Sequence, residues 1–300
     1  DRKEVETFIK EETIVFDPKT FGYYNSWLGN LRRFDSLKHL YKEHKFKTKS
    51  WSQYLEKYLF SYVKDKIEYE AIVKEIDYSS SDSTKVILTN GKEYFATKVI
   101  CAVPLSILKN KDIQFTPELP KAKQDALDKN KMKPGLKVAI EFKKKFYLDC
   151  SYDQSFFASM FWLIYGVGAE RGFFDALINK DIPDKHVLGL YCYGALAEDL
   201  SKLKDDEIFK TVMEKLDVMY DGQASENYVK HIVTNWTKEP FILGASSNVW
   251  CMKLMEKQFG KAPLQNRVFF AGEFVSADLG PTVHGACVTG RRAALNAIGK

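Results

Sequence analysis

The sequence predicts a mixed α/β protein in which two domains exchange the chain several times. Segments rich in β-branched and aromatic residues recur from residue 67 to the C-terminus, and segments with helical spacing of apolar residues lie between them. That alternation is typical of helices packed on a mixed sheet. At 300 residues the chain is long enough for two domains or one large interrupted domain, and no clean linker separates them.

The first part of the chain has no clear strand. Residues 1–50 read as irregular and helical segments with scattered aromatic residues. Residues 51–62 place apolar side chains near helical spacing, including Tyr54, Tyr58 and Tyr62. This spacing predicts an amphipathic helix packed on a sheet.

A β-hairpin is the clearest local signal. Residues 67–78 read as a strand and lead into residues 85–104, where Asn90-Gly91 stands between two β-rich runs. Asn-Gly favours the tight turn that joins antiparallel strands. An apolar run that reads as buried, Ile100 to Pro104, ends this region.

The rest of the chain alternates helices and strands. Residues 106–131 and 197–220 have helical patterns, the first with Pro punctuation, and residues 152–180 hold a dense aromatic cluster. Strands are predicted at residues 136–142, 186–194, 231–236 and 268–271, and a final helix is predicted to begin near Thr282–Gly285.

Composition excludes several classes of protein. Apolar residues make up 45% and charged residues 28%, as in globular proteins, and no run approaches the roughly 18 apolar residues of a membrane span. The net charge of +5, from 45 basic and 40 acidic residues, is mild and spread over the chain. Contact with nucleic acid is therefore not favoured.

The five cysteines predict a reducing compartment. Their odd number and the absence of CxxC spacing argue against both a zinc site and a disulfide framework, so no metal is expected. The chain begins at Asp1 without a signal-peptide pattern, which indicates processing or a longer protein. These features favour an intracellular location, in the cytoplasm or nucleus, although the sequon Asn235-Trp236-Thr237 is weak evidence against it.

A complete dinucleotide fingerprint is missing. Such a fingerprint needs G-x-G-x-x-G after a strand, with an acidic residue about 20 positions later. GVGAERG (166–172) comes near, but its third glycine is one residue too far and no acidic residue follows at a strand end. We interpret this segment as a loop among aromatic residues.

The C-terminal segment, residues 267–300, has a different pattern. Its strand ends in Gly272-Glu273, which predicts backbone free to approach a ligand. The helix that follows directs its N-terminal N–H groups at negative charge or carbonyl oxygens. Small residues keep this helix thin, so a flat ligand could lie against its start, although a tightly packed C-terminal helix would use the same small residues.

Three stretches of this segment, FFAGE, PTVHGA and TGRRAA, closely resemble the FAD-binding signature of the flavin-dependent amine oxidases. That family includes monoamine oxidases, polyamine oxidases and lysine-specific histone demethylases. The resemblance extends over residues 67–300, because four further segments match in the right order. They are AIVKEIDY (71–78), VICAVPLSIL (99–108), GLKVAIEFKKKFY (135–147) and NWTKEPFILGASS (235–247).

The resemblance implies a two-domain FAD-linked amine oxidase fold. In it, an incomplete Rossmann-like FAD domain accompanies a substrate domain with a mixed sheet and helices. Residues 1–41 and 134–254 would belong to the substrate domain, and residues 42–133 and 255–300 to the FAD-binding domain.

The resemblance also implies roles for single residues. Lys137 is similar to the catalytic lysine that holds a water against flavin N5, and Glu273 to the carboxylate near the ribityl and pyrophosphate groups. Val283 is similar to the residue whose backbone N–H reaches the pyrimidine edge. The implied cofactor-binding residues are Val73, Pro104, Trp236, Gly272, Glu273, Thr282, Val283, Gly285 and Ala286.

Taken without the resemblance, these residues have simpler readings. Lys137 alone would be read as a surface residue and Trp236 as a core residue. His284 lies in the signature turn, and we assign it a structural role. Ser246 and Thr282 are the implied substrate-lining residues.

The implied chemistry is the FAD-dependent oxidation of an amine. Flavin N5 accepts a hydride from the C–N unit, the imine hydrolyses, and O₂ reoxidises the flavin and releases hydrogen peroxide. Ser246 and Thr282 stand where other members carry aromatic residues. This open cage and Glu239-Pro240 favour the polyamine oxidase or lysine demethylase branch, with a small-molecule or peptide amine as substrate.

One departure keeps alternatives open. The family's N-terminal β-α-β unit, with its glycine turn, is absent from these 300 residues. Either another segment supplies that half of the FAD cradle, or the chain is a non-catalytic binding module that kept the fold. A nicotinamide enzyme using residues 166–172 is a third reading, which the glycine spacing disfavours.

Overall fold

The computed structural model describes residues 50–147, 164–165, 171–177 and 182–300. Predictions for residues 1–49, for most of the aromatic cluster at 152–180 and for residues 166–170 lie outside these ranges. The mixed α/β class is confirmed. The helices are α1 (Trp51–Tyr58), α2 (Leu105–Lys109), α3 (Lys121–Lys129), α4 (Ala195–Ser201), α5 (Asp205–Met219), α6 (Gln223–Asn227), α7 (Met252–Met255) and α8 (Val283–Ala297).

The strands alternate with these helices. They are β1 (Val73–Asp77), β2 (Thr84–Leu88), β3 (Glu93–Ala96), β4 (Val99–Cys101), β5 (Gln114–Thr116), β6 (Met132–Lys133), β7 (Gly135–Phe142), β8 (Ile164–Tyr165), β9 (Arg171–Asp175), β10 (His186–Tyr193), β11 (Tyr228–Thr234), β12 (Ser246–Ser247) and β13 (Val268–Phe270).

The chain divides into two compact units, and it passes between them at three points. Unit 1 comprises Asp1–Asp65 and Gly135–Asn235, and unit 2 comprises Lys66–Pro134 and Trp236–Lys300. The assignment of segments to a cofactor domain and a substrate domain stays a prediction. None of the described helices has the length and apolar character needed to span a bilayer.

Unit 1 is built on a five-stranded sheet in the order β11-β7-β10-β9-β8, in which all neighbours are antiparallel. Side chains alternate along β7, so that Leu136, Val138 and Ile140 are buried on one face. They share a core with Ile208 and Leu216 of α5. The sheet therefore has one face covered by helical side chains.

Helix α1 confirms the predicted helix but not its packing. Ser50 caps its N-terminus through a reciprocal hydrogen-bond pair with Gln53. Tyr54 and Tyr58 are 42% and 50% exposed, so the expectation that this helix packs on a sheet is wrong. The two rings instead lie 5.0 Å apart along the helix. Helical spacing defines an apolar face, but it does not require that face to be covered.

Unit 2 contains a four-stranded sheet in the order β3-β2-β1-β5. The Asn90-Gly91 turn is confirmed, because Gly91 adopts φ +85° between the antiparallel strands β2 and β3. The strand predicted at residues 67–78 begins only at Val73, and Glu70 interrupts the extended backbone with φ 57°. Strand β5, parallel to β1, lies within a segment predicted to be helical, so that prediction is wrong for its three residues.

The last strand of unit 2 leads to the C-terminal helix. Strand β13 is fully buried and pairs in parallel with β4, in the register Phe270 to Cys101. A short ladder joins β12 to β6, and a single 3₁₀ turn spans Glu273–Val275. The predicted order of strand, turn and helix is therefore confirmed for residues 268–297.

Candidate functional site

The carboxyl ends of β4 and β13 place two predicted residues at one edge of unit 2. Because the strands are parallel and in register, the turns that follow them emerge at the same edge. Pro104 is the N-cap residue that precedes α2, shortly after β4, and Gly272 lies two residues after the end of β13. Ligands of open α/β sheets bind outside such strand ends.

Gly272 is held in a conformation that suits only glycine. Its φ is +138°, and a Cβ there would lie 3.0 Å from the Phe274 ring. Its backbone amide and carbonyl are both within hydrogen-bonding distance of one side chain. Its N–H donates to the Thr289 hydroxyl at 3.1 Å, and that hydroxyl lies 3.0 Å from the carbonyls of Gly272 and Ala286, to either of which it can donate. Thr289 thus ties the strand exit to α8.

Glu273 presents a partly buried carboxylate. Its Oε2 accepts a hydrogen bond from the Ser247 hydroxyl at 2.7 Å. Burial raises the pKa of Glu273, and the Ser247 hydroxyl and N–H oppose that rise. Within the part of the chain that the structure describes, Ser247 is its only hydrogen-bond donor. Since a carboxylate offers about four lone-pair sites, Glu273 keeps acceptor capacity for another donor.

Helix α8 begins with a polar cap. Thr282 Oγ1 accepts from the Gly285 N–H at 3.0 Å and donates to the Leu279 carbonyl at 3.0 Å. The Ala286 N–H donates to the Thr282 carbonyl as the first regular helical bond. Among the described residues, the Val283 N–H makes no hydrogen bond, so it is available to an acceptor outside the chain.

Close packing at the start of α8 depends on Gly285. A Cβ at this position would lie 2.7 Å from both the Gly280 carbonyl and the Ser276 hydroxyl. Real Cβ atoms do not approach that closely, so the turn before the helix can fold back only over glycine. Gly290, one and a half turns later, would meet nothing within 4 Å.

The Trp236 segment is folded against the β12–β6 ladder. The Trp236 carbonyl accepts from the Gly244 N–H at 2.9 Å, and Gly244 adopts φ +150°. A Cβ on Gly244 would lie 2.5 Å from Met132 Cγ. Ser246 pairs with Lys133 in the ladder, so their side chains share a face. The indole of Trp236 is half-buried.

Val73 begins β1 and pairs with Leu88 of β2. Its side chain packs against the main core of unit 2.

Of the predicted residues, the structure brings together Gly272, Glu273 and the start of α8, and Ser246 lies next to Ser247, the partner of Glu273. Among the described residues, no side-chain hydrogen bond links Val73 to that group.

Lys137 lies in unit 1, on the face of β7 opposite the core. Leu136 and Val138 on either side of it are 0% and 1% exposed, whereas Lys137 itself is exposed. Its ammonium lies 5.4 Å from the ring centroid of Tyr191, its partner on β10. Tyr193, two residues on, has its ring 5.3 Å from that of Tyr191. An ammonium and two phenol rings thus share this sheet face.

Two residues at the site were missed in the sequence analysis. Ser247 gave no signal, because its partner Glu273 is 26 positions away. Thr289 had a weak signal, since it lies seven residues after the cap Thr282 on one face of a small-residue helix.

A separate cavity of about 290 Å³ lies between α2, β5 and α3 of unit 2. Buried apolar residues such as Phe115 and Leu127 form part of its wall, and Lys111 and Glu118 are among its charged residues. It contains none of the predicted site residues. Among the described residues, no cluster of His, Cys, Asp and Glu could hold a metal ion.

Comparisons with known proteins agree with the motif resemblance. A family model described as flavin containing amine oxidoreductase matches residues 9–298. Lysine-specific histone demethylase 2 of Homo sapiens is 31% identical over 232 residues, which is 76% of this chain and 27% of that protein. Polyamine oxidase 6 of Oryza sativa subsp. japonica is 28% identical over 228 residues, or 75% of this chain and 44% of that protein.

Solved structures show the same fold. A putrescine oxidase triple mutant superposes with a TM-score of 0.63 at 17% identity, covering 79% of this chain and 50% of that chain. Cyclohexylamine oxidase from Brevibacterium oxydans IH-35A gives 0.59 at 18% identity, covering 78% of this chain and 49% of that chain. The chain thus spans about half the length of these two solved structures, and less than half the length of the histone demethylase and the polyamine oxidase.

Proposed function

Because the chain belongs to the family of flavin containing amine oxidoreductases, we propose that it oxidises an amine at its C–N bond with FAD as the hydride acceptor. The flavin implied by the motif resemblance is the cofactor of this family. When bound, FAD supplies hydride acceptance at N5 and reoxidation by O₂ with release of hydrogen peroxide. The observation that carries the proposal is the arrangement of Gly272, Glu273 and the N-terminus of α8 at one strand edge.

Three features of unit 2 fit a flavin nucleotide. The partly satisfied carboxylate of Glu273 can accept hydrogen bonds from ribityl or ribose hydroxyls. The Val283 N–H at the positive end of α8 can donate to a carbonyl oxygen or a ring nitrogen. Gly285 lets the preceding turn fold back against the start of α8, where the ring would lie.

The other predicted residues would complete the cradle. Val73 would contact the adenine side through its main chain, and Pro104 and Ala286 would line the cofactor. The Trp236 indole would pack near the flavin ring. Lys137 would hold a water molecule by donating from its ammonium, which has no core-packing duty on its sheet face.

We propose a polyamine or a methylated lysine side chain as the substrate class. Ser246 and Thr282, the implied substrate-lining residues, are small and non-aromatic, so they leave room for an extended aliphatic amine. The similarity to a histone demethylase and a polyamine oxidase supports the same branch.

A glycine-turn β-α-β unit from another segment or chain would complete the pyrophosphate site. The absence of G-x-G-x-x-G from these 300 residues supports this requirement. The rival is a non-catalytic binding module that kept the amine oxidase fold.

An absorbance scan of the purified protein separates the two. Enzyme function predicts a flavin band at about 450 nm, either as purified or after adding FAD. Turnover is then compared on a linear polyamine, a dimethyl-lysine peptide and benzylamine, with hydrogen peroxide as the readout. A colourless protein that cannot be reconstituted would favour the module, and turnover of benzylamine alone would contradict the proposed branch.

A further inference from the structure

Ser247 is a buried serine whose hydroxyl is committed to one acceptor. It is 1% exposed, and its Oγ lies 2.7 Å from Glu273 Oε2. A carboxylate cannot donate, so the serine is the donor. Its backbone N–H also interacts with the same carboxylate. The Ser247 hydroxyl is therefore the side-chain donor that fixes one oxygen of Glu273.

The ladder that carries Ser247 is fixed on both sides. Asn130, fully buried, accepts with its side-chain oxygen from the N–H groups of Lys131 at 2.8 Å and Asn248 at 3.2 Å. The Asn248 N–H also lies 3.1 Å from the Lys131 carbonyl, and the Ala245 N–H donates to the Lys133 carbonyl at 2.8 Å. Residues on both sides of Ser247 are thus held, and its hydroxyl has little freedom to leave the carboxylate.

We propose that Ser247 is the positioning residue for Glu273. By occupying Oε2, its hydroxyl fixes the rotation of the carboxylate and leaves Oε1 for a hydroxyl group of the ribityl or ribose part of a flavin nucleotide. This inference rests on the proposed function, because it needs FAD as the ligand. It adds a residue to which the motif resemblance gave no role.

The physical reason is pre-organisation. A hydrogen bond between a hydroxyl and a carboxylate is short and charge-assisted, so it restricts a side chain that could otherwise rotate. Without it, Glu273 must order its carboxylate when the ligand binds, and the affinity decreases. Ser247→Ala should therefore weaken FAD binding about tenfold.

The test is a double-mutant cycle on FAD affinity, measured by fluorescence quenching of FAD titrated with the full-length protein. The variants are Ser247→Ala, Glu273→Ala and the double variant. Without the carboxylate there is nothing to position, so Ser247→Ala should cause no further loss in the Glu273→Ala background.

Ser201→Ala is the matched control. Ser201 is 5% exposed and donates one hydrogen bond of 2.8 Å to the Glu198 carbonyl in unit 1. Ser201→Ala removes a hydroxyl from a buried site, as Ser247→Ala does, so both variants should lower the thermal unfolding midpoint. Only Ser247→Ala should change FAD affinity. This comparison separates positioning from general stabilisation.

Three outcomes would overturn the inference. The first is an unchanged FAD affinity in Ser247→Ala while the wild type binds FAD. The second is additive losses in the double variant. The third is a wild type that does not bind FAD, which would overturn the proposed function as well.

Discussion

The two units present their predicted residues in contrasting ways. In unit 2, hydrogen bonds hold the predicted residues in place. The N–H groups of Gly272 and Gly285 donate to the Thr289 and Thr282 hydroxyls, and Glu273 accepts from the Ser247 hydroxyl. In unit 1, Lys137 stands exposed on an outer sheet face beside an aromatic ring.

This contrast shows that residues which shape a binding site and residues which act on a substrate differ in the structural constraints around them. Residues that shape a cradle are recognisable by backbone constraint, such as the positive φ of Gly272 or the missing Cβ of Gly285. A residue that acts only on the substrate or a water needs no structural duty. We therefore expect variants in unit 2 to change binding and stability, and a Lys137 variant to change turnover alone.

The largest expected effect tests the Lys137 side of this comparison. Lys137→Met should lower kcat by about 100-fold, the lower range for a positioned proton-transfer group. FAD affinity should be unchanged, and the unfolding free energy should stay within about 0.5 kcal/mol of the wild type, because the side chain is exposed. Stopped-flow reduction and reoxidation kinetics measure the change.

Lys230→Met is the control for that variant. Lys230 is an exposed lysine on the neighbouring strand β11, with a surface ion pair of 3.3 Å to Glu141. The Lys230→Met variant should have the same kcat as the wild type. If Lys137→Met also kept normal rates, Lys137 would have no part in the mechanism.

The next effect tests backbone constraint in unit 2. Gly285→Ala should lower the unfolding free energy by about 1–3 kcal/mol, because the new methyl meets the Gly280 carbonyl and Ser276. FAD affinity should decrease with it, since the turn before α8 must move. Urea denaturation and FAD titration give the two values.

Gly290→Ala is the control, because it adds the same methyl group to the same helix at a position where the methyl would touch nothing. Nothing lies within 4 Å of the position that the new methyl group would take, so the variant should gain up to about 1 kcal/mol from helix propensity. Equal effects at Gly285 and Gly290 would show that close packing at the helix start is not what requires glycine.

A smaller effect concerns the charge of Glu273. Burial raises the pKa of this carboxyl in the folded state. The stability gained from holding its proton is therefore complete below the ordinary glutamate pKa and is lost as the pH rises through the folded value. Relative to Glu273→Gln, the wild type should gain stability as the pH is lowered from 7 toward 4. Parallel curves of unfolding free energy against pH would contradict this.

Local chemistry explains which elements the sequence could predict. The Asn90-Gly91 turn, the strand at residues 136–142 and the start of the last helix near Thr282 each depend on neighbouring residues, and all three are confirmed. Strand β5 could not be predicted in this way. It has three residues, and its pairing with β1 joins positions about 40 residues apart.

The site follows the same division. Gly272, Glu273 and Gly285 could be identified from the sequence, because they lie in the FFAGE and PTVHGA stretches that resemble the FAD-binding signature. The role of Ser247 is invisible there, since it depends on a hydrogen bond to Glu273 across 26 positions. The exposure of α1 could not be predicted either, because spacing alone does not say what covers a helix.

The pairing of β4 with β13 has a consequence for biosynthesis. More than half of the chain separates these strands, so β4 emerges from the ribosome long before its partner is made. Until residue 268 is translated, the nascent chain carries an apolar strand with an open edge, the kind of surface that chaperones bind and that aggregates form on. If translation stops before residue 268, the released polypeptide therefore contains β4 but lacks β13, the strand that pairs with it.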